Sequence, residues 1–200
     1  MKSQGQILIL SLIFMLIILI VTGVLLGLVF QNVHATRRAI AKEQALQLAD
    51  AGADVAVASR NLDSLKAVAR EIEAKGRKSL AVKVDVVDAK QVNAMVETIM
   101  KTFPRIDILV NAAGLAIRKP ADSFPIDEWQ QVMDINTRGT FLCCQAVGKT
   151  MIKQKSGKII NVSSVRGRYG LPAGYAAYCP SKGAVDTLTR TLACEWAKYN

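Results

Sequence analysis

Two hundred residues, 51% of them apolar, are enough for one domain with a real core, or for a small domain with an appendage. The net charge of +10 sits on scattered residues such as Lys66, Arg70, Lys75, Arg77, Lys101, Lys153, Lys155 and Lys158, with no interleaved aromatics. That argues against a nucleic-acid partner and leaves a lysine-rich solvated surface. The cysteines Cys143, Cys144, Cys179 and Cys194 have no Cys-x-x-Cys spacing and His34 is the only histidine, so no metal is expected; free thiols in a reducing cytoplasm are.

No formally charged residue lies between Lys2 and Arg37. From Ile7 to Phe30 only Ser11, Thr22, Gly23 and Gly27 interrupt a run of large apolar side chains. As a helix at about 1.5 Å per residue this run reaches about 36 Å, enough for a hydrocarbon core of about 30 Å. It is too long for the apolar part of a typical signal peptide. The expectation is a transmembrane-like helix over residues 7–30, with a fully buried core helix as the alternative. Gly23 and Gly27 have the spacing that lets membrane helices approach closely, or are incidental. Arg37, Arg38 and Lys42 after the run favour a cytoplasmic carboxyl-terminal part; without a genuine anchor the whole chain is cytoplasmic.

From Ala53 the pattern changes to short apolar strands alternating with amphipathic helices. Val55–Ala58 is a predicted strand. Asn61 caps a predicted helix with Leu65, Val68 and Ile72 on one face, ended by Gly76. Leu80–Val84 is the second strand. Asp88-x-x-Gln91 is a capping-box pattern before Val92, Met95, Ile99 and Phe103 at helical spacing. Ile106–Val110 is the third strand, a helix runs from about Asp127 to Ile152, and Lys158–Val162 is the fourth strand. The last helix starts near Tyr175 and carries Val185, Leu188, Leu192 and Trp196. This order predicts an α/β fold: a Rossmann-like parallel sheet of four strands with helices on both faces. Ligands in such sheets lie beyond the carboxyl ends of the strands.

The polar residues of interest fall at those ends. Tyr178 and Lys182 are four apart, so a helix puts phenol and ammonium on one face. A phenol has an unperturbed pKa of about 10, and a fixed cation nearby favours its ionised form, fitting it for acid/base work. Asn161-Val-Ser-Ser164 ends the fourth strand fourteen residues before Tyr178. The Ser164 hydroxyl is placed to hold a substrate carbonyl, or Ser163 and Ser164 satisfy the turn. Asn111-Ala112-Ala-Gly114 ends the third strand with small residues that a flat ligand can lie against. Asn136 stands inside the long helix, where Asn is a mediocre helix former; it has a polar role or is a satisfied buried amide.

Together, Asn111-Ala-Ala-Gly114, Asn136-x-x-Gly139, Ser164 and Tyr178-x-x-x-Lys182 resemble the short-chain dehydrogenase/reductase family over residues 51–200, in the family's order. The resemblance implies interconversion of a carbonyl and an alcohol on a small-molecule substrate, by hydride transfer with a nicotinamide cofactor. It implies that Tyr178 is the acid/base, that Lys182 tunes it and holds the nicotinamide ribose, that Ser164 orients substrate and that Asn136 supports a proton relay. Asp85 and Val86 would contact the adenine, and Asn111, Ala112 and Gly114 would line the cofactor. Ser59 and Arg60 follow the strand where the family selects its cofactor. No acidic residue is there to accept ribose hydroxyls and Arg60 suits a 2′-phosphate, so NADP is expected over NAD. A homo-oligomer is also compatible with the resemblance.

The family opens with a Thr-Gly-x-x-x-Gly-x-Gly turn that rests the pyrophosphate on a helix N-terminus. The nearest trace is Thr22-Gly23-Val-Leu-Leu-Gly27-Leu-Val29, with Val29 at the last glycine and about a dozen residues too many before Ala51-Gly52-Ala53; it is read as coincidence. The chain also stops at Asn200, where the family continues. The sheet is therefore expected to be incomplete and the activity impaired. Met1-Lys-Ser-Gln-Gly5, Gln6 and the apolar run are similar to a type IV prepilin-like segment, with residues 38–52 continuing its helix. Two parts follow, a membrane-type segment (1–50) and a partial dehydrogenase domain (51–200). The alternatives are a pilin-like assembly protein or an inactive fusion product.

Overall fold

The computed structural model describes residues 41–170 and 174–199. The apolar run at residues 7–30 and the glycine trace at 22–29 lie outside them. Among the described residues no helix is long and apolar enough to cross a membrane. Contacts divide the chain into Met1–Gln47 and Leu48–Asn200.

Residues 41–50 are helical. The end of that helix is set by Gly52, whose φ of +94° is open to glycine and costly for other residues. Gly52 N donates to the Ala49 carbonyl at 2.9 Å and Ala53 N to the Leu48 carbonyl at 3.0 Å, the two bonds of a Schellman cap. The chain then enters β1 (Val55–Ser59). Asn61 caps α1 (Leu62–Ala74) by accepting from Ser64 N, and Gly76, at φ +77°, follows its end. Next come β2 (Ser79–Lys83), α2 (Ala89–Thr102) and β3 (Ile108–Asn111). Asp88 caps α2 through Lys90 N and Gln91 N. The Gln91 amide reaches back past Asp88 and accepts from Asp85 N at 3.0 Å, so the box also fixes the turn after β2.

The expected long helix is interrupted. α3 (Ile126–Met133) passes through a π-helical turn, Asp134–Arg138, into α4 (Gly139–Gln154). One wide turn rotates the side chains after it, and such turns gather at functional sites. β4 (Lys158–Asn161) and α5 (Tyr178–Trp196) complete the order.

β1 pairs with β2 and β3 with β4, all in parallel. Among the described residues these are two separate pairs, where the sequence predicts one sheet of four strands. Among the described residues the two pairs meet through side-chain packing. Val84, Val92, Met95, Val96, Cys143, Ala146, Val147 and Met151 form one buried cluster, with Val82 beside it from one pair and Leu109 and Ile159 from the other. α2 and α4 thus cover one face common to both pairs. On α4, Gly148 is needed because a Cβ there would lie 2.7 Å from the Trp196 indole of α5.

Candidate active site

The first turns of α5 put Tyr178, Ser181 and Lys182 in the interior, at 6%, 0% and 5% exposure. The Lys182 ammonium donates to the Val162 carbonyl at 2.7 Å, and Ser163 Oγ donates to the Lys182 carbonyl at 3.3 Å. Both bonds tie the Lys182 turn to the carboxyl end of β4. Ser164 follows there and caps a 3-10 turn, Val165–Gly167, its hydroxyl accepting from Arg166 N at 3.2 Å. Gly167 lets that turn press on α5: a Cβ there would sit 2.9 Å from the Lys182 carbonyl carbon.

Asn136 is fully buried in the π turn. Its Oδ1 accepts from Leu115 N at 2.7 Å, and its Nδ2 donates to the Leu115 carbonyl and to Ser181 Oγ, each at 2.8 Å. Ser181 Oγ in turn donates to the Tyr178 carbonyl at 2.7 Å. Asn136 is therefore a satisfied amide that also positions its neighbours, since it clamps the loop after β3 to the first turn of α5. Its own carbonyl accepts from Thr140 Oγ1 at 2.7 Å.

Asn111 is likewise engaged. Its amide donates to Asn161 Oδ1 at 2.9 Å and to Cys144 Sγ at 3.3 Å, while Asn161 donates to Thr189 Oγ1 at 2.9 Å. This chain joins β3, β4 and α5. Burial pushes the Cys143 and Cys144 thiols up to about 11, Cys143 further raised by its neighbour. A buried thiol has lost the water that would stabilise its charge, so both are neutral packing groups. Ala112 is exposed and Gly114 half-buried.

A cleft of about 350 Å³ is lined by Arg60, Asp85, Val87 and Ile135 among others. Arg60 and Asp85, two of the residues expected at the cofactor, come together in it. Ser59 and Val86 are not among its lining residues. Ser59 Oγ accepts from Asn61 N at 3.3 Å, and Val86 turns to Gly139, where a Cβ would lie 2.7 Å from its Cγ2. Asp85 spends one carboxylate oxygen on Val87 N at 3.2 Å. Val87 and Ile135 are not among the residues the sequence singles out. Val87 directly follows the Asp-Val pair that is; Ile135 is one apolar residue in a helical run and carries no signal of its own. The π turn connects the two regions, because Ile135 faces the cleft while Asn136 bonds to Ser181.

The short chain dehydrogenase family model matches residues 33–200. The chain is 41% identical over 166 residues to a 3-oxoacyl-[acyl-carrier-protein] reductase of Synechocystis sp., covering 82% of this chain and 67% of that protein. Among solved structures, a short-chain type dehydrogenase/reductase from Mycobacterium marinum superposes with a TM-score of 0.76 at 38% identity, covering 79% of this chain and 65% of that one. A gluconate 5-dehydrogenase from Burkholderia cenocepacia, in complex with NADP and tartrate, gives 0.74 at 36% identity, with 78% and 61% covered. The chain belongs to the short-chain dehydrogenase/reductase family. It spans about two thirds of the length of these relatives.

The match begins at residue 33, so it takes in residues 38–52, which the pilin-like reading requires, and that reading has no support. It also leaves out Thr22–Val29. Inside it, Ala35-Thr-Arg-Arg-Ala39-Ile-Ala41 has the spacing of the family's Gly-x-x-x-Gly-x-Gly, with alanine at each glycine position. Ala41 stands twelve residues after Val29, which removes the dozen surplus residues. With no glycine in it, the segment carries none of the composition that marks the turn.

Proposed function

We propose that the chain is an oxidoreductase that interconverts a carbonyl and an alcohol, with Tyr178 moving the proton. The observation that carries this reading is the set of ties around the first turns of α5. Lys182 is fixed to the Val162 carbonyl, Ser163 to the Lys182 carbonyl, and Asn136 to Ser181. They tie the helical turn that carries Tyr178 and Lys182 to the end of β4, which leads into the Ser164 turn, and to the π turn. In reduction Tyr178 gives its proton to the nascent alkoxide, and the fixed Lys182 cation stabilises the negative charge left on the phenol oxygen. Ser164 orients the substrate oxygen by a hydrogen bond. Asn136 is a positioning residue.

Arg60, Asp85 and Val87 fit the adenosine end of a nicotinamide cofactor, and Arg60 with no acidic neighbour on β1 favours NADP. NADPH, when bound, supplies the hydride. Ala35, Ala39 and Ala41 stand where glycines would let a backbone come close to the pyrophosphate, so binding is weak in this chain. The test is NADPH oxidation, followed by absorbance at millimolar NADPH with small ketones, by this chain and by Tyr178→Phe. Turnover that falls by about 10²-fold or more in the variant supports the reading; equal rates overturn it.

We also propose that residues 7–30 anchor the chain to a membrane with the dehydrogenase part on the cytoplasmic side, on the strength of the uncharged run and the flanking Arg37, Arg38 and Lys42. Retention in the membrane pellet after alkaline carbonate washing supports this, and release overturns it.

A further inference from the structure

Lys182 is not the only residue of α5 that β4 grips. Asn161, next to Val162 at the end of that strand, donates through Nδ2 to Thr189 Oγ1 at 2.9 Å. Thr189 comes two helical turns after Lys182, so both lie on one face of α5, about 10 Å apart along its axis. Neighbouring residues of β4 thus hold the helix at two separate points. One hold is the Asn161 side chain, and the other is the Val162 carbonyl, which accepts from the Lys182 ammonium at 2.7 Å.

The bond directions around Asn161 leave one arrangement. Thr189 Oγ1 gives its proton to the Val185 carbonyl at 2.7 Å, so toward Asn161 it can only accept. Asn161 must therefore present its NH2 group to α5 and its carbonyl oxygen to the other side. There Oδ1 accepts from Asn111 Nδ2, at the end of β3, at 2.9 Å, and from the Cys144 thiol of α4 at 3.5 Å. One amide joins β3 and α4 to α5, and the Thr189 hydroxyl decides which way it faces.

The ties from the π turn to α5 fall beside Lys182. Asn136 Nδ2 donates to Ser181 Oγ at 2.8 Å, and Thr137 Oγ1 donates to the Ser181 carbonyl at 3.2 Å. Ties gathered at one place act as a pivot, about which a helix of 19 residues can still turn. A second hold two turns away removes that freedom. We propose that Asn161 and Thr189 are positioning residues for the proton transfer. Through them β4 sets the angle of α5, and so the place of Lys182 and Tyr178 relative to the Ser164 turn. This rests on the reading of Tyr178 as the proton-transfer group.

Hydrogen exchange on the full chain, without cofactor, tests the hold, and turnover tests its use. Thr189→Val keeps the shape and removes the hydroxyl. The Val162 amide, bonded to the Asn111 carbonyl at 3.0 Å, and the Ser181 amide, bonded to the Ala177 carbonyl at 3.2 Å, should then exchange about tenfold faster. The Val92 amide of α2, bonded to the Asp88 carbonyl, should keep its rate. Reduction of a small ketone at millimolar NADPH should fall about tenfold in kcat, with KM for the ketone unchanged. Thr189→Ser, which keeps the hydroxyl, should restore both. Thr191→Val removes a bond of the same kind, from the Thr191 hydroxyl to the Thr187 carbonyl at 3.0 Å, on the exposed side of α5, and should change neither. Circular dichroism checks each fold, and Thr189→Ala replaces Thr189→Val if that variant does not fold. Parental exchange at Val162 and Ser181, faster exchange at Val92 as well, an equal effect of Thr191→Val, no rescue by Thr189→Ser, or parental kcat despite faster exchange each overturns the proposal. A Tyr178→Phe variant as active as its parent would instead fault the proton-transfer reading, and the exchange rates, which need no turnover, tell the two failures apart.

Discussion

The Lys182 ammonium donates to the Val162 carbonyl at 2.7 Å, and this bond ties the end of β4 to the helix of Tyr178. A hydrogen bond from a charged donor contributes about 1.5–3 kcal/mol, which is roughly ten- to a hundredfold in a local opening equilibrium. Lys182→Met keeps most of the apolar stem and removes the donor. The amides of Arg166 and Gly167, bonded to the Ser164 hydroxyl and carbonyl, should then exchange with solvent at least tenfold faster. Unchanged exchange there would show that the turn holds itself.

Asn136→Ala should destabilise the chain far more than an average substitution. It strands the Leu115 N–H and carbonyl and takes a partner from Ser181 in a fully buried place. A buried polar group left unpaired costs about 1–3 kcal/mol, and more than one is affected, so about 2–4 kcal/mol is expected. Urea unfolding measures it. Asn136→Asp, which keeps the shape but loses the donors to Leu115 and Ser181, should cost nearly as much.

The elements of the fold were legible because their signals are local. Asn61 and Asp88 cap the helices the sequence assigns to them, and Gly76 follows the end of α1 at positive φ. Which strand pairs with which was not legible, since pairing depends on which strands become neighbours, and apolar runs carry no such information. The π turn at Asp134–Arg138 was hidden for a related reason. Its side-chain pattern is that of an α-helix, and only its wider backbone bonding, Gly139 N to the Asp134 carbonyl, distinguishes it. In the candidate site, Tyr178 and Lys182 were visible by spacing. Val87 and Ile135 were not, because they lie on separate segments and meet only at the cleft.

The buried thiols give the chain an alkaline limit. Cys143 and Cys144 are pushed up to about 11 from 9.0, chiefly by burial. Their folded values lie above the unfolded ones, so the folded state holds these protons more tightly. The stability this contributes is fully present below pH 9 and is lost as pH rises from 9 towards 11. Urea midpoints should fall across that window, and the fall should lessen in Cys143→Ala. At about pH 8, just below the ordinary thiol range, a thiol reagent should modify Cys194, which is exposed, and Cys179 before either buried cysteine. Equal rates at all four would mean that α4 opens readily.

The largest gain is expected from the amino-terminal side of the family match. A dinucleotide's pyrophosphate is held by backbone N–H groups at a helix N-terminus, and glycines allow the chain to come close enough to use them. Ala35, Ala39 and Ala41 occupy the three positions in this chain. A methyl group at a position of that kind holds phosphates off and disfavours the backbone angles that a tight turn requires. Losing two or three charge-assisted hydrogen bonds, at about 1.5–3 kcal/mol each, lowers affinity by several orders of magnitude. The unaltered chain should therefore bind NADPH poorly in a fluorescence titration. Ala35→Gly, Ala39→Gly and Ala41→Gly together should improve binding by about 10²-fold or more. Arg60→Ala in that background should weaken NADPH more than NADH, because the reading pairs Arg60 with the 2′-phosphate that NADH lacks. Micromolar NADPH binding by the unaltered chain would refute the argument. So would a triple variant no better than its parent, which would place the pyrophosphate elsewhere.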